Sequence, residues 1–193
     1  MTSYELWLFL HVLAVIIWVG AVTAIDLLWF RAERTGDPAE MGRMGQLQQW
    51  LTPRLFIPSA LAALVFGVLL VLDGPWSFGD VWIALGLLGF AATFLVGLLY
   101  LRPQGQRMGE IVARHGPTSP EARRHGKKLL VVARVQLLLL FLVVADMVLK
   151  PTSDDPWTLV VLAAILAVGI VAGAVVMRRP IGAEPSPAVA DPR

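Results

Sequence analysis

Residues 6–30 read LWLFLHVLAVIIWVGAVTAIDLLWF, an apolar run broken by only two ionisable side chains, His11 and Asp26. Crossing a hydrocarbon layer about 30 Å thick takes about 20 residues at 1.5 Å each, so this run is long enough to span a bilayer as a single helix. Outward along the chain four more such runs follow, at about 55–72, 81–101, 129–149 and 157–177. With 57% hydrophobic and only 16% charged residues, the composition is far from that of a soluble domain. The expected fold is therefore all-α: a polytopic membrane bundle of five transmembrane helices forming one domain over residues 1–177. The stretch 178–193, rich in Pro and Ala and without periodicity, reads as a disordered cytoplasmic tail.

The first run differs from a cleaved secretory signal, which has a basic start and a short apolar core. Here Glu5 precedes a much longer span, with no Lys or Arg before it. Basic residues are instead sorted by connection. Arg31, Arg34, Arg43 and Arg54 lie before the second span; Arg102, Arg107, Arg114, Arg123, Arg124, Lys127 and Lys128 follow the third; Arg178 and Arg179 follow the fifth. The N-terminus and the connection 73–80 have none, and 150–156 has Lys150 against Asp154 and Asp155. Short loops rich in Lys and Arg stay in the cytoplasm, which predicts an N-out, C-in protein of the bacterial inner membrane. The net charge of +2 is thus a matter of topology and lipid, and no nucleic-acid partner is expected. The absence of cysteine removes disulfides, thiolate zinc sites and iron–sulfur clusters.

Asp37, Pro38 and Glu40 form a helix-start signal and predict a short surface helix from 38 to about 50. Ser119, Pro120 and Glu121 repeat it, so the fourth helix is expected to begin near 120 and reach Lys150, exceeding the membrane by about two turns. Short outer connections predict antiparallel hairpins of helices two with three and four with five. Small residues spaced by four (Ser59, Ala63, Gly67; Gly89, Thr93, Gly97; Gly169, Gly173) are candidate sites of close helix approach.

Ionisable groups inside a membrane cost roughly 2.5–3.5 kcal/mol on insertion scales, which singles out His11, Asp26, Arg134 and Asp146. His11 to Asp26 spans about 22 Å of helix and Arg134 to Asp146 about 18 Å. On antiparallel neighbours this levels Asp26 with Arg134, as an ion pair or as two groups reaching separately for the inner headgroups, and His11 with Asp146. Trp7, Trp18 and Trp29 recur every eleven residues on one stripe shared by His11. These aromatics are either lining for a flat cofactor or interfacial anchors plus packing. His11 itself is either a satisfied hydrogen-bonding residue or a ligand of haem or copper, with Trp18 beside it and Asp146 as the acceptor for its second nitrogen. His115 and His125, in the connection after the third span, read as solvated surface residues.

The segment HVLAVIIWVG, His11 to Gly20, resembles the first helix of the copper-resistance CopD-like membrane proteins, of the HemJ-like membrane protoporphyrinogen oxidases, and of a related group of uncharacterised small integral membrane proteins. The resemblance implies haem b or copper at His11, the one residue it carries over. Four functions follow as alternatives: a non-catalytic haem- or metal-binding protein of an envelope complex or homo-oligomer; a HemJ-like oxidoreductase; a transporter using Asp26, Arg134 and Asp146; and a structural or assembly subunit. No hydrolase triad, phosphate loop or zinc-protease motif is present.

Overall fold

The computed structural model describes residues 2–35 and 37–178. Among them there is no strand, and five helices are long and apolar enough to cross a membrane. They are built from α1 (Ser3–Thr35), α2 (Pro38–Leu51), α3 (Ile57–Asp73), α4 (Val81–Leu95), α5 (Arg102–His115), α6 (Pro120–Leu149) and α7 (Pro156–Arg178). The tail expected to be disordered lies, from 179 onward, outside the described residues.

Local chemistry sets the ends. At α1, the Thr2 N–H donates to the Glu5 carboxylate at 2.8 Å and the Glu5 N–H to the Thr2 hydroxyl at 3.3 Å, a reciprocal capping box. Asp37 accepts from the Ala39 N–H at 2.9 Å and Ser119 from the Ala122 N–H at 3.2 Å, so both expected helix starts are present. Helix α6 runs from Pro120 to Leu149 as the sequence predicts, and ends on Lys150 in a left-handed conformation, φ 47°.

Two expectations about continuity fail. The surface helix at 38–51 is not separate from the second span, because α2 passes into α3 through a π-helical segment, Thr52–Phe56. Likewise α4 passes through Val96–Leu101 into α5, a helix that takes up part of the connection expected after the third span. Each break lies beside a proline that has no N–H to give: Pro53 within the first, Pro103 just after the second. The chain widens by one residue per turn, so that Ile57 N–H bonds the Thr52 carbonyl and Arg102 N–H the Gly97 carbonyl. The helix thereby survives where an unpaired backbone group in lipid would be costly.

Packing also departs from the expected hairpins. Helix α6 packs with α7, as predicted for helices four and five, but α3 and α4 do not run along each other. Instead α3 lies along α1, and α4 along α6. The small-residue rows explain the choice. Ser59, Ala60 and Ala63 are buried in α3, and a Cβ on Gly67 would sit 3.0 Å from the His11 ring of α1. On α4, Gly89 abuts Val143 of α6; on α7, Gly173 faces Val131 and Val135 of α6. Each row thus marks a contact, and the two in the central helices point away from each other. Trp18, Ala60 and Leu140 form the core where α1, α3 and α6 meet, with Phe90 and Phe94 of α4 against it. Side chains such as Leu88 and Val168, 67% and 68% exposed, lie on the outer surface, where a bilayer supplies the apolar solvent.

Candidate functional site

His11 projects from α1 onto α3. Its Nδ1 lies 2.8 Å from the Ala63 carbonyl oxygen. A carbonyl can only accept, so Nδ1 carries the proton and donates it, and in the neutral ring Nε2 keeps its lone pair. The ring rests over Gly67, where a Cβ would come within 3.0 Å of Cε1 and 3.2 Å of Nδ1. Trp7 stacks on Phe66 with centroids 6.1 Å apart, one residue along α3. The result is an imidazole of fixed tautomer and orientation, half-buried at the edge of the α1/α3 pair.

Three expected partnerships are corrected. First, His11 is oriented by a backbone carbonyl of α3 and not by Asp146. That carboxyl is buried in α6, 4% exposed, next to Gly86 of α4, and neither oxygen has a hydrogen-bond partner among the described residues. The levels agree, but α6 presents Asp146 to α4. Second, Trp18 is a core residue, 7% exposed and edge-on to Phe90 at 5.4 Å. Trp29 donates to Gln48 of α2 at 2.7 Å, so the three tryptophans of the stripe make three separate contacts. Third, Arg134 is ion-paired with Glu33 and lies over the Phe30 ring at 5.7 Å. Asp26 leaves its Oδ2 without a hydrogen-bond partner among the described residues. Glu33 is two turns nearer the end of α1, where the long Arg134 side chain reaches headgroup depth.

Sequence reasoning missed Gln136, whose Nε2 donates to the Thr93 carbonyl at 2.9 Å, just ahead of the π-helical segment that disturbs α4's own ladder. At the opposite end Lys150 sits over Trp76 and Trp82, 4.1 and 5.2 Å from the ring centroids, and Trp76 donates to the Tyr4 hydroxyl at 3.4 Å. Among the described residues no three His, Asp or Glu side chains converge as a metal centre would require.

A family model described as a predicted integral membrane protein (DUF2269) matches residues 5–151, which include all but the first two residues of α1, the whole of α2 through α6, and all four intramembrane ionisable residues. No curated protein and no solved structure matches the chain.

Proposed function

Since the chain belongs to the DUF2269 family of predicted integral membrane proteins, we propose that it is a haem-binding protein of the bacterial inner membrane, N-out and C-in, in which His11, in the outer half of the bilayer, would hold the haem iron. The observation that carries this reading is the hydrogen bond from Nδ1 of His11 to the Ala63 carbonyl. Ligating histidines characteristically donate their other N–H to such an acceptor, which fixes the ring and raises its basicity. A haem brings four nitrogens of its own and needs one imidazole, which the site offers. A bare copper ion needs several protein donors, and the side chains around His11 do not converge as such a set. When bound, haem supplies one-electron redox chemistry. The protein's share is the imidazole, oriented by the Ala63 carbonyl and seated on Gly67, and exclusion of water by the surrounding apolar helices. The resemblance of residues 11–20 to CopD-like and HemJ-like first helices points the same way. A second copy would offer another such imidazole, which makes a homo-oligomer the natural partner.

Protein purified in detergent from haem-replete cells should show a Soret band that shifts on reduction, and His11→Ala should lose it while retaining its elution volume and helical circular dichroism. Haem-free wild-type protein would end the proposal and leave His11 as a helix-pairing hydrogen bond. For the topology, the basic ends at 31–54, 102–128 and 178–179 predict that a C-terminal reporter active only in the periplasm stays silent; strong activity would reverse the orientation.

A further inference from the structure

The basic connection after the third span is a folded object. Helix α5 and the first turns of α6 form a helical hairpin beyond the apolar bundle, tied by His125, half-buried and 2.9 Å from the Gln104 carbonyl, and by Ile111 and Ala122, both buried. Between them lie two adjoining hollows of about 420 and 560 Å³ that share Arg107, Ile111, His115 and Glu121. Arg114 lines the first, and Arg124, His125 and Lys128 line the second.

Two carboxylates also face this cleft, and both are engaged. Glu110 pairs with Arg114 at 3.7 Å and Glu121 with His115 at 3.4 Å. Among the described residues Arg107, Arg124 and Lys128 have no such partner. Simple inside-positive charge would be served equally well by cations spread over the surface. Here three unpaired cations from two helices line hollows that share a wall, next to the N-terminus of the 30-residue α6, whose dipole adds positive potential. Lys128 immediately precedes the apolar run beginning at Leu129, which puts the cleft at headgroup depth.

We propose that this cleft binds a phosphate-bearing anion. Guanidinium forks match phosphate oxygens two at a time, while the lysine adds a point charge. The phosphate has two candidate sources, an anionic phospholipid headgroup reaching in from the adjacent leaflet or a soluble phosphate compound, and the test separates them. The proposal is independent of haem at His11, which lies toward the other end of the bundle.

The full chain is placed in nanodiscs of phosphatidylcholine alone or mixed with phosphatidylglycerol. Retained lipid is read by native mass spectrometry and the melting temperature is followed as inorganic phosphate is titrated. The groove variant Arg107→Gln/Arg124→Gln/Lys128→Gln is compared with Arg31→Gln/Arg34→Gln/Arg43→Gln, which removes equal charge from the other basic connection. Each Lys or Arg at an anionic surface contributes about fivefold. The groove variant should therefore lose phosphatidylglycerol retention by about tenfold or more, and the comparison variant far less. Stabilisation of the wild type but not of the groove variant by inorganic phosphate in phosphatidylcholine discs identifies the soluble source. Equal losses in the two variants, or no binding of either ligand, overturns the proposal. Arg107→Gln alone provides the same comparison should the triple variant not fold.

Discussion

The α1/α3 and α4/α6 pairs are sealed alike, by small residues that let two backbones approach, yet they treat their polar side chains differently. On α1/α3, His11 donates to the Ala63 carbonyl. On α4/α6, Gln136 donates to the Thr93 carbonyl, but among the described residues Asp146 finds no hydrogen-bond donor. The difference follows from what a helix in lipid can offer. Each interior carbonyl retains a second lone pair after its helical bond, whereas each interior N–H is already committed. A donor side chain can therefore be satisfied by a neighbouring helix without any matching side chain. An acceptor-only carboxylate cannot.

The largest effect that can break this comparison concerns the seal. A Cβ at Gly89 would run into the Val143 side chain, and a β-branched residue in a helix has little rotamer freedom to retreat. Gly89→Ala should lower stability by about 1–3 kcal/mol, seen as a clear drop in melting temperature in detergent. Gly67→Ala asks the His11 ring to yield only a few tenths of an ångström and should cost less. If the two substitutions cost the same, the two seals are equally tight although Val143 lies closer to Gly89 than the His11 ring does to Gly67.

The second test turns on sign. Asp146→Asn gives the side chain N–H donors that a carbonyl of α4 can accept, so it should raise stability by about 1 kcal/mol, whereas His11→Phe should lower it by a similar amount through loss of its one hydrogen bond. A destabilised Asp146→Asn would mean that the carboxylate has a partner in the native membrane, whereas the expected gain marks Asp146 as a place where the chain gives up stability.

Periodicity and caps made the helices legible, because apolar run length, Asp37 and Ser119 act locally. The small rows at 59–67, 89–97 and 169–173 were legible as contacts, but not which helix each would meet. The expected hairpin of α3 with α4 failed because loop length permits adjacency while the rows choose partners. His11 stood out as the one intramembrane histidine, but its acceptor is a main-chain oxygen, which has no signature in sequence. The π-helical segments were missed for a related reason: Pro53 and Pro103 announce a break, and the widened turn that avoids it is a backbone response. Levels derived from helix rise brought Asp26 beside Arg134 because rise fixes depth and leaves open the reach of a long side chain.

That last point carries the smallest expected effect. Arg134 is paired with Glu33, and the two side chains are 46% and 31% exposed, so the pair belongs with partly exposed ion pairs, whose coupling is typically below about 1 kcal/mol. A double-mutant cycle of Glu33→Gln and Arg134→Gln, read from melts in detergent, should return a coupling of about 0.3–1 kcal/mol. The parallel cycle of Asp26→Asn with Arg134→Gln should return less, since the arginine's fork is turned toward Glu33 and Phe30. Added salt should shrink the first coupling, because exposed charges are screened within about 10 Å at 0.1 M. A larger coupling for Asp26 would restore the level-matched pair as the real contact at this end of the bundle. It would also remove the unpartnered oxygen of Asp26, leaving Asp146 as the clearer instance of a carboxylate that its helix neighbours cannot satisfy.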